Sequence, residues 1–246
     1  MVGKRRDPIL NLRSTTTSTK TVYVIPGFGG HVLPYRRMAK FMDDAYSVKG
    51  LFLPRWIDGE ADPRTIEGFA AYTERHLQPD SDGVLRLMGY SAGGLIAFET
   101  ARRLIGTGCR VDLILFDAEC QMFGADRPSR WTRLCKRAEY AVRRAKYALK
   151  GDHDMVADLR IKAAAYLYQP HHLEAGIVLV RPDTRLAKQD RRFEPKMGWD
   201  TVTNGVELIH SAGRHGDAFK GKNAEHFAAA LEAGFEFLDQ RRLKPT

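Results

Sequence analysis

A serine stands between small residues in the segment Gly89-Tyr90-Ser91-Ala92-Gly93, which fits the pattern G-x-S-x-G. A predicted strand precedes it at 85–88, and a helical pattern follows at 92–105. A sharp turn from strand to helix requires small residues on either side of the serine and lifts its hydroxyl above the sheet. A glycine-rich turn with an ordinary capping serine is the alternative. The flanking elements favour Ser91 as a nucleophile and the Ala92 amide as an oxyanion donor.

A second glycine-rich loop, Pro26-Gly27-Phe28-Gly29-Gly30, follows the apolar run 21–25 directly. A loop with so few side chains can turn its backbone amides toward a ligand. Taken alone, the loop is more typical of a plain glycine turn. Together with the serine motif it predicts a site loop, with the Phe28 amide as the second oxyanion donor.

An acid should follow Ser91 in the chain. Asp117 stands immediately after the apolar run 111–116, and so at the end of a predicted strand. Because parallel strands end at one edge of a sheet, this carboxylate should lie on the same side as Ser91. A strand end is also a rigid place from which to orient an imidazole, so Asp117 is the first choice. Glu119 and Asp183 are the alternatives.

Eight histidines compete for the role of base. His215 lies in the loop 211–217, flanked by glycines, after the last predicted strand and before the last predicted helix. The usual alternative for any histidine is an ordinary surface residue. The position of His215 makes it the predicted base. The other candidates lie on the last strand, on the last helix, or before a strand at its opposite end: His210, His226, His171 and His172.

Short apolar runs that predict strands alternate with helical patterns along the chain. The predicted strands are Val22–Ile25, Ser47–Leu53, Leu85–Gly89, Val111–Phe116, Ile177–Val180 and Val206–Ile209. The predicted helices cover 35–43, 65–77, 92–105 and 223–241. Continuously apolar strands between helices indicate an α/β fold, with a mostly parallel sheet covered by helices on both faces.

Residues 126–169 interrupt this alternation with two helical patterns and no strand signal, which predicts a helical lid over about 121–170. Residues 121–150 hold nine Lys and Arg against two acidic residues. The apolar stripe of the first helix, which includes Trp131, Leu134 and Val142, is expected to pack inward. The basic side chains are then expected on the solvent-facing side, and they include Arg133, Arg137 and Arg144.

Composition excludes several classes of protein. The 246 residues carry a net charge of +9 concentrated in 1–20 and 121–150, without a nucleic-acid recognition motif. No apolar run is long enough to span a membrane or form a signal core, so the expected location is the cytoplasm. Three scattered cysteines predict neither disulfides nor a metal site. Residues 1–20 are expected to form a basic, flexible lead-in, and 21–246 a single domain.

The motifs together resemble the thioesterase domain of nonribosomal peptide and polyketide synthases, a family with the α/β-hydrolase fold. The resemblance covers nearly the whole chain, and the serine motif with its trailing Ala97-Phe98-Glu99 is its most specific part. Other matching segments are Val24–Gly30 with Tyr35, Ala101–Leu104, Leu113–Asp117, Gly198-Trp199 and Gly213–His215. In that family, an acid that follows the same strand as Asp117 is typical of domains that release the product.

The resemblance implies acyl transfer from a phosphopantetheine thioester, through an acyl group on Ser91, to water or to an internal nucleophile. It implies an acyl or peptidyl carrier protein as partner, with no metal and no dissociable cofactor. Carriers of this kind are commonly acidic, so the basic face with Arg133, Arg137 and Arg144 is expected to steer the carrier to the site. The sequence leaves open the identity of the acyl chain and the oligomeric state. It also leaves open whether the enzyme releases a product or edits stalled carriers in trans.

Three other functions are compatible with the same residues. An esterase or lipase acting on free small esters would use the same catalytic groups, although it has no need of a basic lid. A binding protein that keeps the fold without catalysis would not need Ser91, Asp117 and His215 together. Nucleic-acid binding through the basic segment lacks a recognition motif.

Overall fold

A mostly parallel sheet forms the centre of the fold. The computed structural model describes residues 7–54, 63–120, 129–183 and 195–243, and within them the sheet has seven strands. They are β1 (Ile9–Arg13), β2 (Lys20–Ile25), β3 (Tyr46–Leu51), β4 (Val84–Tyr90), β5 (Arg110–Phe116), β6 (Leu173–Pro182) and β7 (Thr203–Ser211). Their order is β1-β3-β2-β4-β5-β6-β7. Only β1 runs antiparallel to its neighbour, which confirms the predicted architecture.

The helices occupy the connections between the strands, except for the last, which follows β7. They are α1 (Arg36–Ala39), α2 (Ile66–Glu74), α3 (Ala92–Gly106), α4 (Arg130–Leu149), α5 (His153–Leu167) and α6 (Asn223–Leu243). The predicted helix over 35–43 is a short 3-10 turn followed by the four residues of α1. None of the described helices is long and apolar enough to cross a membrane.

The central strands are buried on both faces. Val24, Leu87 and Ile114 are completely buried, as the continuous apolar runs predict for strands covered by helices on both sides. Their parallel direction brings the carboxyl ends of β2, β4, β5 and β7 to one edge of the sheet. The loops that follow these four strands carry Phe28, Ser91, Asp117 and His215, so the topology gathers the predicted site residues at that edge.

The flexible lead-in predicted for residues 1–20 is wrong for Ile9–Arg13, which forms β1. This segment pairs with β3, with Ile9 opposite Leu51, and its Leu12 side chain is buried. The Ser/Thr run after it is also held, since the Thr15 hydroxyl donates to the Asp44 carbonyl at 2.7 Å. A five-residue edge strand beside basic and hydroxyl residues gives too short an apolar pattern to be recognised, and its stability depends on a partner strand distant in sequence.

The helical insertion is present as α4 and α5, but the predicted orientation of α4 is wrong. Its apolar stripe faces solvent, with Trp131 72%, Leu134 56% and Val142 69% exposed. The half-buried face contacts α5, and there the Tyr140 ring meets the Tyr166 ring edge to face at 6.1 Å. Tyrosine rings and the long stems of basic side chains cover more area than a stripe rich in alanine, so this face packs inward. Arg133 and Arg144 lie half-buried on that inner face, not on the solvent-facing side.

Candidate active site

Ser91 occupies the turn between β4 and α3 in a backbone conformation rare for a residue with a side chain. Its φ is 53° and its ψ is −126°. The Ser91 amide donates to the Phe116 carbonyl at 3.0 Å, which ties the turn to the neighbouring strand β5. A hydroxyl held in this way points away from the sheet edge, and the first amides of α3 lie beside it.

The two glycines of the motif are required by close packing around this turn. A Cβ on Gly93 would lie 2.3 Å from the Pro26 carbonyl oxygen, and a Cβ on Gly89 would lie 2.6 Å from the Gly94 Cα. Helix α3 therefore approaches both its own strand and the Pro26 loop with no room for a methyl group. The spatial reason for the G-x-S-x-G pattern is thus present at Ser91.

Asp117 and His215 form the main polar contact of the site. The Nδ1 atom of His215 lies 2.6 Å from Oδ2 of Asp117, whose side chain is fully buried, whereas the His215 side chain is 32% exposed. An imidazole that donates from Nδ1 presents Nε2 to its other side as a proton acceptor. Ser91 and both residues line one cavity of about 250 Å³. The structure therefore brings the three predicted residues together.

The alternative acids and histidines lie elsewhere or have other neighbours. Asp183 follows β6 and faces His210, with Nδ1 of His210 at 3.6 Å from Oδ1 of Asp183, and both side chains are exposed. Glu119 lines the same cavity, but the carboxylate at hydrogen-bond distance from Nδ1 of His215 is that of Asp117. His171, His172 and His226 are exposed, as expected for ordinary surface histidines.

Tyr90 holds His215 from a second direction, a role the sequence analysis does not predict. The two rings stack with centroids 4.8 Å apart and planes 24° apart. The Tyr90 hydroxyl also donates a hydrogen bond to the carbonyl oxygen of His215. Burial first, and then the negative charge of Asp117, raise the pKa of Tyr90, so its hydroxyl stays protonated as a donor. The position of Tyr90 beside the serine was the only signal in the sequence.

The predicted oxyanion loop lies next to Ser91 and is held by Tyr35. A Cβ on Gly27 would come within 3.2 Å of the Ser91 Cβ, and the Gly27 amide donates to the buried Tyr35 hydroxyl at 3.2 Å. Phe28 lines the cavity together with Ser91 and Ala92. Gly29 has a φ of 88°, which a residue with a Cβ rarely adopts. The loop therefore lies directly beside Ser91, at the same cavity.

The loop after Asp117 is held by a buried tryptophan. The Trp199 indole donates to the Ala118 carbonyl at 2.7 Å, and the Trp199 side chain is fully buried against the Phe98 ring. This packing gives a structural reason why Gly198-Trp199 occurs together with the Ala97-Phe98-Glu99 segment of α3. The nearby Arg181 guanidinium is also buried; burial lowers its pKa, and the Asp117 carboxylate opposes that shift.

The end of the insertion is fastened to α3 through Glu99. The Tyr168 hydroxyl donates to Oε2 of Glu99 at 2.8 Å, and the Arg102 guanidinium donates to the same carboxylate. Burial alone would raise the pKa of Glu99, but these hydrogen bonds and the charge of Arg102 lower it overall. The glutamate that ends the serine motif thus anchors the chain where α5 returns to the sheet.

The chemistry available at this site is nucleophilic acyl transfer. A serine on a strained turn, an imidazole oriented by a buried carboxylate and a glycine-rich loop beside a helix N-terminus are the components that such a reaction requires. Within the described residues, no group of three or more His, Cys, Asp or Glu side chains could hold a metal ion.

The family model for the thioesterase domain matches residues 20–235. The chain belongs to that family. Its fold is also that of solved thioesterase domains. The Vlm2 thioesterase domain, in a structure bound with a dodecadepsipeptide, superposes with a TM-score of 0.65 at 17% identity over 92% of this chain and 97% of that one. These relationships confirm the predicted α/β-hydrolase fold.

A second solved thioesterase domain, NocB in covalent complex with a fluorophosphonate nocardicin G analog, gives a TM-score of 0.62 at 21% identity over 92% of this thioesterase chain and 98% of that one. Among curated proteins, the chain is 27% identical over 191 residues to a nonribosomal peptide synthetase, agiA, of Aspergillus flavus. It is 32% identical over 128 residues to an atromentin synthetase of Paxillus involutus that is named inactive, invA6.

These curated synthetases are far longer than this thioesterase chain. The matches cover 69% of it and 2% of the Aspergillus flavus protein, and 51% of it and 13% of the Paxillus involutus protein. The chain therefore spans only a small part of the length of the curated synthetases it matches.

Proposed function

We propose that this thioesterase uses Ser91 to release an acyl or peptidyl chain from the phosphopantetheine arm of a carrier protein. The observation that carries the proposal is the 2.6 Å contact between Asp117 Oδ2 and His215 Nδ1 in the cavity that Ser91 also lines. Membership of the thioesterase family supports a thioester as the bond cleaved. The likeness to the Aspergillus flavus synthetase supports a carrier as the source of the substrate.

The first half of the reaction acylates Ser91. His215 Nε2 takes the hydroxyl proton as Oγ attacks the thioester carbonyl, and the amides of Phe28 and Ala92 stabilise the oxyanion. The tetrahedral intermediate then collapses, the C–S bond breaks, and the leaving thiolate receives the proton from the imidazolium. The Asp117 carboxylate stabilises that imidazolium, which the complete burial of its side chain makes effective.

The second half frees the enzyme. Water gives a proton to His215 and attacks the acyl carbonyl, and Ser91 leaves as its hydroxyl when the proton returns to Oγ. The products are a carboxylic acid and regenerated enzyme. An internal hydroxyl or amine of the acyl chain could replace water in the same step and would give a ring.

The test is covalent trapping at Ser91. A fluorophosphonate probe, or a slow acyl thioester, should place its label on the peptide that contains Ser91, as peptide mass spectrometry would show. Ser91→Ala should abolish labelling and lower the turnover of an acyl pantetheine thioester by several orders of magnitude. Cys135 is exposed and offers a competing nucleophile, so Cys135→Ser is the matched control and should label normally. Label on a cysteine peptide would contradict the serine mechanism.

A further inference from the structure

A basic cavity lies between α4, α5 and the start of α2. Its volume is about 460 Å³, and four arginines line it: Arg64, Arg133, Arg137 and Arg144. The side chains come from two parts of the chain about seventy residues apart in sequence, so their convergence is a product of the fold. This cavity is separate from the one that contains Ser91.

Three of the four arginines in this cavity have no acidic partner among the residues that the structure describes. None of the described lining residues is an aspartate or a glutamate. Within the described ranges, the guanidinium groups of Arg64, Arg133 and Arg137 take part in no ion pair. Elsewhere on α4, by contrast, Lys136 and Arg143 both approach Glu139, at 2.7 Å and 3.7 Å. Several positive charges held around one space favour a bound anion.

The remaining lining groups restrict which anion fits. Leu134 and Leu167 contribute apolar side chains, and Tyr140 contributes a ring. Guanidinium groups match phosphate oxygens with paired hydrogen bonds, and even a phosphodiester offers them two unesterified oxygens that share a negative charge. A phosphate ester next to a branched aliphatic group satisfies both parts of the lining, and 4′-phosphopantetheine has that structure, with a dimethyl-substituted carbon beside its phosphate ester.

Helix α5 connects this cavity with the active site. Ala163 lines the basic cavity, and its neighbour Lys162 places Nζ 5.1 Å from the centre of the Phe28 ring. One turn earlier, Oδ1 of Asp158 lies 4.0 Å from where a Cβ on Gly29 would stand. The same helix thus contacts the oxyanion loop and the arginine cluster, so a ligand held by the arginines lies one helix away from the Ser91 cavity.

We infer that the cavity lined by Arg64, Arg133, Arg137 and Arg144 binds the phosphate of a phosphopantetheine thioester while the acyl end reaches Ser91. The inference rests on the proposed function and adds the group by which the substrate is held. This phosphoryl group occurs as a phosphodiester on a carrier protein and as part of a diphosphate in coenzyme A, and the experiment separates these two sources.

The decisive comparison is between two thioesters that carry the same acyl group and differ only in the phosphate. The KM for the 4′-phosphopantetheine thioester should be about tenfold lower than that for the pantetheine thioester, with a similar kcat, which corresponds to about 1.4 kcal/mol of binding. Equal KM values would overturn the inference. The same acyl group on coenzyme A and on a holo carrier protein then shows which source the enzyme prefers.

Matched variants connect this preference to the cavity. In Arg133→Gln/Arg137→Gln the ratio of the two KM values should fall to about one, and Arg133→Lys/Arg137→Lys should restore part of it because charge returns without the planar fork. Lys146→Gln/Lys150→Gln removes the same charge at the end of α4, outside the lining, and should keep the full ratio. A ratio that survives the arginine substitutions would overturn the assignment.

Direct binding separates failure of this site from failure of the proposed function. Calorimetry with 4′-phosphopantetheine should show binding that Arg133→Gln/Arg137→Gln weakens about tenfold. If no thioester is turned over but this binding is found, the phosphate site stands and the proposed function falls. If thioesters are turned over and neither phosphate preference nor binding is found, the proposed function stands and the phosphate site falls. Sensitivity to the arginine substitutions with the holo carrier alone would place these arginines against the carrier's protein surface and would overturn the phosphate assignment.

Discussion

The ring of Tyr90 stacks on the imidazole of His215, with centroids 4.8 Å apart, and its hydroxyl donates to the carbonyl of the same histidine. Tyr90, directly before Ser91, therefore holds the proposed base in place, although that base lies in a loop 125 residues away in the chain. Strand β4 and the β7–α6 loop are coupled by this contact, so the geometry of the serine turn and that of the imidazole cannot change independently.

This coupling predicts that Tyr90 is a positioning residue. Tyr90→Phe keeps the ring and loses one hydrogen bond, so kcat should fall by up to about tenfold. Tyr90→Leu also loses the stacking and should lower kcat further, by about tenfold more, while KM changes little. Steady-state kinetics on one acyl thioester measures both. Tyr147→Leu makes the same change on α4, away from the site, and should leave kcat unaltered. An increase in KM without a change in kcat in the Tyr90 variants would contradict the positioning role.

The contact between Asp117 and His215 predicts a large difference between two aspartates. Asp117→Asn removes the carboxylate that orients Nδ1–H, which permits the wrong tautomer, and kcat should fall by a factor on the order of 10⁴. Asp183→Asn alters an exposed residue that faces His210 and should retain nearly full activity. Measured kcat values for the two variants check the assignment of the acid, and the reverse pattern would transfer the role to Asp183.

Packing around the serine turn predicts opposite results for two glycines of α3. Gly93→Ala would place a Cβ 2.3 Å from the Pro26 carbonyl oxygen, so the free energy of unfolding should fall by about 3 kcal/mol and activity should be lost. Gly106→Ala, at the end of the same helix, meets nothing within 4 Å and should raise the free energy of unfolding by up to about 1 kcal/mol. Urea unfolding of both variants is the measurement. Equal stability would show that the turn can relax.

The buried Glu99 predicts a pH-dependent contribution to stability. Its pKa is lower in the folded protein than in the unfolded chain, so its carboxylate contributes stability above the ordinary pKa of 4.5, and that contribution is lost as the pH falls through the folded value. Glu99→Gln should therefore lower the free energy of unfolding more at pH 7 than at pH 3. Glu74→Gln removes the partially exposed carboxylate that pairs with Arg103 and should show a smaller difference.

Several features of the site, such as its small residues and its acid and base, could be predicted from the sequence alone. Gly89 is small because a Cβ there would meet Gly94 of the same turn, so this steric limit acts between residues close together in the chain. The motif also marks Gly93, although its limit comes from Pro26 in a distant segment. Asp117 and His215 could be chosen because parallel strands end at one edge of a sheet, so a residue that follows a predicted strand has a known side. These inferences require the order and type of the elements but no distances.

Other features depended on contacts between distant segments, and only the tertiary structure decided them. Strand β1 exists because β3 offers it a free edge, and Tyr90 became a partner of His215 because the β7–α6 loop returns over β4. The periodicity of α4 correctly separated an apolar face from a basic one, but the basic face with its tyrosines packs against α5. The helical period of a segment defines its two faces but does not say which face is buried. The buried face is the one whose packing against the rest of the protein gives the better contact area and solvation, and this depends on residues outside the segment.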